Sequence, residues 1–408
     1  MLASFQELGD SVASKWEHAG RTEAAFIEIA TNALCESRLF NIIEPGDIAS
    51  WLFNSKQLPP QDLHDFGQPP VILYQGDGFY IQALFWLDAT TAIHEHSFVG
   101  AFGVLHGASV HSTYQFTPAK AYSNRLVAGT VKFCGSELLS RGDVRPILLA
   151  GDLIHALFHL DRPSVSIVVR TNSEETRPQF YYAKPYLALE DQQLPAHLTI
   201  QRKMLDSLWK SDRPLFWRLA RQFAENCDPF MLYHALLIGF RDTTDTENWN
   251  ALLEAARRNN GELVDIILPC IEQETQAARI CSLRNTVHDK MHRLFLALLL
   301  NVPCPEEIYR LIRQHFPNEN PRILAARWLG EIFEKEQAGV KFTRSWLCLI
   351  ERMLQDPDFE NSREFLAQRF RANTKETEEK LRRTWHQLQS FEVVKPLMVT
   401  MPIAQVAV

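Results

Sequence analysis

The stretch "TAIHEHSFVGAFGVLHG" runs from Thr91 to Gly107. Side chains of a strand alternate with period two, so a strand here puts His94 and His96 on one face. Two imidazoles side by side can take one metal ion, with further ligands drawn from elsewhere in the chain. Glu95, between them, is expected to face away as a surface or barrel-packing residue.

Working outward, the texture on both sides of this stretch is that of short strands. "VILYQGDGFYIQALFWL" (71–87) reads as two strands joined at Gly76-Asp77-Gly78, a hairpin signal. Further strands are expected at 92–96, 98–105, 108–116, 124–133, 144–149, 153–159 and 165–171. Turn residues separate them at Gly107, Gly129, Gly135, Gly142-Asp143, Gly151-Asp152 and Asp161-Arg162-Pro163. About eight to ten short strands at this spacing predict a closed or nearly closed antiparallel barrel or jelly roll.

The flanks are helical texts. Residues 1–58 carry apolar residues at three- and four-residue spacing, with Thr22 as an N-cap, and the proline-rich 57–70 reads as a connector. From about Leu194 amphipathic segments follow one another, broken at Asn259-Asn260-Gly261, Pro303/Pro305 and Pro317/Pro321. They predict an all-α bundle or helix-pair array. The expected class is therefore α+β. A β-barrel domain with a helical lead-in spans 1–190, an all-α domain 194–392, and an extended tail 393–408.

The chain has 408 residues, 46% hydrophobic and 22% charged, with net charge -7. That balance suits a globular protein and argues against a nucleic-acid binder. The longest apolar run, "LFLALLLNV" (294–302), is too short to span a bilayer. The seven cysteines form no C-x-x-C pair, and the N-terminus has no signal-peptide core, so a cytoplasmic location is expected.

Of the fourteen histidines, the barrel segment holds His94, His96, His106, His111, His155 and His159. In "GDLIHALFHLDRPSVSIVVRT" (151–171), His155, Leu157 and His159 share one strand face. A barrel can bring that face opposite His94 and His96. Neutral imidazoles suit Fe(II), with Zn, Ni and Mn as alternatives. Arg170 and Ser166 share a face of the next strand, where Arg170 could hold an anionic group. Tyr114 and His111 are further candidates for substrate contact.

The order of H-x-H, a later Gly107, and Gly151-Asp152 followed by His155 resembles the cupin superfamily over about residues 65–190. Within it, the helical lead-in, the hairpin before "IHEHS" and the His-Gly step look most like the thiol dioxygenases, of which cysteine dioxygenase is the best known. The resemblance implies a cupin barrel holding Fe(II) through three histidines, with O2 and a small-molecule substrate at the open positions. His94 and His96 supply two ligands. His155 fits the Gly-Asp turn, and His159 fits the distance to the following strand, so either could be the third, the other standing behind the ligands or contacting substrate.

The sequence departs from ordinary cupins in having no Glu within four residues after the H-x-H. It departs from the cysteine dioxygenases at Ser164–Val168, which lacks their His and Tyr, at Val71–Tyr74, which has no arginine, and at Ala101, near the position of their crosslinking cysteine. Cysteine is accordingly a poor candidate substrate. The expected function is a mononuclear non-haem iron oxygenase acting on a small or medium metabolite. The alternatives are a ligand-binding sensor and a metal-dependent isomerase or lyase that does not use O2. The helical part is the candidate surface for a protein partner.

Overall fold

The structure is a computed structural model describing residues 2–61, 66–87, 92–173, 177–191, 194–334, 336–337, 340–372 and 374–398. It is mixed α and β, with N-terminal helices, a β region and a helical C-terminal part, as the sequence predicts. The described residues 2–134 and 138–274 form one compact unit, and 135–137 with 275–398 form a second. The texture of the sequence changes near 194; the first compact unit runs on to 274.

In the first unit four helices lead in: α1 (Leu2–His18), α2 (Glu23–Glu36), α3 (Leu39–Ile42) and α4 (Pro45–Asn54). Thr22 caps α2 by accepting from the Ala25 amide. Eleven strands follow among the described residues. They are β1 (Pro70–Gln75), β2 (Phe79–Trp86), β3 (Ile93–His94), β4 (Gly100–His106), β5 (Ser109–Ala121) and β6 (Leu126–Leu139), then β7 (Val144–Ile147), β8 (Ile154–His159), β9 (Ser164–Thr171), β10 (Phe180–Ala183) and β11 (Leu187–Glu190). Five form an antiparallel sheet in the order β1-β2-β9-β4-β7, and six close into a ring in the order β10-β11-β6-β5-β8-β3.

Period two assigns each face of the five-stranded sheet its own core. Ile81 and Ala83 of β2, Ala101 of β4 and Val165, Ile167 and Val169 of β9 pack with Phe5, Val12, Phe26 and Ile48 of the lead-in helices. The alternate residues, Leu84 and Trp86, Phe102 and Val104, and Val168, pack instead with Leu157 of β8 and Leu139 of β6. A third core forms where Leu126, Ala128, Leu187 and Leu189 of the ring meet the helices α5 (Ala196–Ser211), α6 (Arg213–Ala224), α7 (Pro229–Gly239) and the first part of α8 (Thr246–Thr286).

Two glycines are needed where they stand. Gly107 turns β4 into β5 at φ +78, and a Cβ there would lie 2.8 Å from Ser164 Oγ. A Cβ on Gly100 would lie 2.0 Å from the Val169 carbonyl oxygen of the neighbouring strand.

Several details differ from the sequence reading. The strand expected over 92–96 shrinks to Ile93–His94, because its neighbours pair with it only there. β10 and β11 lie in a segment whose sequence gave no strand signal strong enough to name. The break expected at Asn259-Asn260-Gly261 is present: Asn260 is non-helical (φ -134, ψ 33), and Thr246–Thr286 is two helices joined across that kink.

Among its described residues, the second unit contains the end of α8 and six further helices. They are α9 (Lys290–Asn301), α10 (Pro305–His315), α11 (Pro321–Ile332), α12 (Arg344–Gln355), α13 (Phe359–Phe370) and α14 (Lys375–Gln389). Asp289, Asn320, Thr343, Asp358 and Thr374 cap five of them through their side chains. Of the expected extended tail, Lys395–Leu397 forms a 3-10 turn with Val393, Val394 and Leu397 buried. The residues after 398 lie outside the described ones. Among the described residues, no helix is long and apolar enough to cross a membrane.

Candidate metal centre

Strand register brings the histidines together. β3 crosses β8 with His94 directly opposite His155. His96 follows just beyond β3, where the chain is held from the other side: Glu95 accepts from the Tyr182 hydroxyl (2.6 Å) and the Phe180 amide (3.3 Å) of β10. Glu95 is thus a buried packing residue that pins the H-x-H segment to the ring while both imidazoles project the other way.

His94, His96 and His155 each offer a ring nitrogen within 4.8 Å of the others. Their residues are 1%, 4% and 2% exposed, so bulk solvent is kept from those nitrogens. His96 Nε2 lies 2.9 Å from His155 Nε2. Two nitrogens bound side by side to one ion at about 2.1 Å each would stand about 3 Å apart, so the pair has the separation a shared ion requires. His94 donates its Nδ1–H to the Ala92 carbonyl at 2.8 Å, which leaves the Nε2 lone pair facing inward. That Nε2 is buried and has no hydrogen-bond partner among the described residues. An orphaned acceptor in a dry site is costly unless something binds it, so the donor set fits a cation.

Burial keeps these rings neutral, as ligation needs. It pushes His94 down to about 4, and it holds His96 and His155 well below the usual histidine range. Neighbouring imidazoles reinforce this at both, and Arg170 adds to it at His96.

His111 stands behind His155, with its Nε2 3.0 Å from His155 Nδ1. With His155 Nε2 turned to an ion, its Nδ1 carries the proton and donates to His111, which fixes tautomer and ring orientation. His159 is also on β8 but lies outside the cluster. It stacks on Trp86 (centroids 4.6 Å apart, planes 11° apart), and its Nδ1 is 3.0 Å from Ser109 Oγ.

The cluster opens onto a small cavity between the sheet and the ring. Its walls are mainly apolar, with Leu84, Phe98, Phe102, Leu157 and Val168 among them, and Gln82, Ser166 and Arg170 add polar groups. Arg170 is 7% exposed. Its guanidinium lies 3.2 Å from the centroid of the Phe98 ring, its Nε donates to the Thr171 carbonyl, and Nη2 bonds Ser173 Oγ.

Of the residues singled out from the sequence, His94, His96 and His155 come together, and Ser166 and Arg170 line their cavity. His111 stands behind His155, outside the lining. Tyr114 is not brought to the cavity. It follows Thr113, the residue opposite His155, and alternation turns it to the other face, into a core with Val131, Ile154 and Ala156. Gln82 was missed by the sequence reading. The signal available was a lone amide in an otherwise apolar strand, "YIQALFW".

No family model matches the sequence, and no curated protein matches it. Among solved structures, the DMSP lyases RdDddP and RnDddQII are similar at 13% identity and a TM-score of 0.19, over 28% of this chain and 51% of that one. Hydroquinone 1,2-dioxygenase PnpCD is similar at 16% identity and a TM-score of 0.20, over 25% of this chain and 63% of that one. A sugar phosphate isomerase of the cupin superfamily from Silicibacter pomeroyi is similar at 17% identity and a TM-score of 0.20, over 35% and 90%. The chain spans about half the length of the first and under two thirds of the second.

Proposed function

We propose that the protein is a mononuclear metal enzyme of cupin type, a non-haem iron oxygenase acting on a small anionic metabolite. His94, His96 and His155 would hold the metal. The observation that carries this reading is the buried, partnerless Nε2 of His94 beside the meeting point of His96 Nε2 and His155 Nε2. Bound iron would supply open coordination positions and the redox electrons that O2 chemistry needs.

The chain's own residues do the rest. Three neutral imidazoles leave a bound cation's charge uncompensated, which favours an anion as substrate. Arg170, next to the cluster, adds a second positive group for that anion, and Ser166 offers a hydroxyl. Leu84, Phe102, Leu157 and Val168 wall the cavity with apolar surface, so charged contacts inside it are weakly screened. The likeness to thiol dioxygenases enters only through the three-histidine ligand set. Residues 1–190 are the proposed metal-binding domain, and 194–392 the helical domain that would meet a protein partner.

The test is elemental analysis of protein purified without oxygen, wild type against His96→Ala, followed by O2-uptake assays with small carboxylic acids. A single iron per chain, lost in the variant, with uptake on at least one acid, is the expected result. Zinc, nickel or manganese in its place, without uptake, would move the reading to a lyase or isomerase. No metal in either protein after reconstitution would leave a ligand-binding sensor.

A further inference from the structure

We infer that Gln82 determines substrate specificity in this cavity by reading a hydroxyl or amide, so that the substrate is a small carboxylate carrying a neutral hydrogen-bonding group. The inference rests on the reading above in that it takes the ligand of the cavity to be a small anion.

β2 sends Gln82, Leu84 and Trp86 to the cavity by simple alternation. Gln82 is paired on both sides, with Ile72 of β1 and Val168 of β9, so its backbone is fixed in the middle of the sheet. The residue is 1% exposed, and its Oε1 has no hydrogen-bond partner among the described residues. Trp86 Nε1, further along the same strand face, is also buried and without a partner.

Packing alone does not call for an amide here. On this face position 82 is flanked by Tyr80 and Leu84 along β2, by Ile72 on β1 and by Val168 on β9, and a leucine would fill the place without an unmade hydrogen bond. A buried carboxamide that leaves its oxygen unused in the protein is instead suited to a partner that arrives with the ligand. Hydroxyl and amide groups both match, since each can donate to Oε1.

The register supplies the second end of the ligand. Val168 is opposite Gln82, and Arg170 is two residues further along the same face of β9. Diagonal neighbours of this kind lie about 7 Å apart. An acid with its carboxylate at Arg170 would present its other end to Gln82 across the floor of the sheet. The metal cluster flanks that line from β3 and β8, since all of these residues line one cavity.

The experiment compares wild type, Gln82→Leu and, as a second variant of similar volume, Gln82→Met. Melting temperatures are measured without ligand. Dissociation constants are then measured by calorimetry for γ-hydroxybutyrate, succinamate and butyrate, on metal-free and metal-loaded protein. The expected result has three parts. Both variants melt higher than wild type in the absence of ligand. Wild type prefers γ-hydroxybutyrate or succinamate over butyrate by about tenfold or more. Both variants lose that preference while keeping butyrate. Equal binding of the three acids by wild type, or a preference that survives in both variants, overturns the inference. Failure of the metal reading shows separately, as absence of metal from wild type, and the preference measured on metal-free protein still decides the role of Gln82.

Discussion

The two ends of β8 carry the same chemistry to different destinations. His155 and His159 project from one face of one strand, both nearly inaccessible to water and both held neutral by burial. His155 lies opposite His94 of β3, and its two ring nitrogens meet His96 and His111. His159 lies opposite Ser109 of β5 and rests on the indole of Trp86. What separates them is what crosses the strand at each point. β3 is short and meets β8 only at His155, so convergence of imidazoles is confined to that end. A histidine on the correct face is therefore not enough to join the cluster; a second histidine strand must pair at its register.

That contrast breaks most sharply under His155→Ala. Loss of one of three ligands should abolish stoichiometric metal binding while the far-ultraviolet circular dichroism of the protein stays native. Metal retained in His155→Ala but lost in His159→Ala would reverse the assignment of the two ends. A smaller effect is expected from His111→Ala, which leaves all three ligands and removes the group that orients one of them. Metal affinity should fall by about 10- to 100-fold, read by competition with a chelator, without loss of stoichiometry. Unchanged affinity would make the contact between His111 and His155 plain packing.

His159→Ala sharpens the comparison from the other side. Metal content should stay at the wild-type value. Denaturant midpoints should drop by the equivalent of about 2 kcal/mol, because the variant loses a stacked, buried ring and leaves a hole beside Trp86.

Much of this was legible before the fold was in hand. The hairpin at Gly76–Gly78 is where the turn residues put it, between β1 and β2. That His94 and His96 share one strand face, and Ser166 and Arg170 another, follows from alternation, a local property of strands. Which of His155 and His159 joins the cluster with His94 and His96 was not legible, because it depends on which residue of β3 lies opposite β8, and register between distant strands leaves no local trace. Tyr114 was misplaced for a related reason. Its hydroxyl made it attractive chemically, but its even position on β5 puts it on the face away from Ser109, His111 and Thr113. Gln82 was passed over because a single amide in an apolar strand looks like noise until its partners can be counted. The fold of 177–190 escaped because β10 and β11 are only four residues each and carry mixed side chains.

The smallest expected effect follows from the charge state of His159. Burial pushes its folded-state value down to about 3, against about 6.5 in an unfolded chain. Between those values the unfolded chain binds a proton at this position and the folded protein does not, so acid favours unfolding. The sign is that of a group with a depressed folded value: its contribution is fully present above pH of about 6.5 and is lost as pH falls towards 3. From pH 7 to pH 6 the loss is about 0.7 kcal/mol for this one residue. The check is the difference in unfolding free energy between pH 7 and pH 6 for wild type and His159→Phe, both free of metal so that ligand protonation is common to the two. Phenylalanine keeps a ring against Trp86 and cannot take a proton, so the variant should lose less stability over that interval by about the same amount. Identical pH dependence would mean that His159 titrates alike in both states and would place the proton-sensitive end of β8 at His155 instead.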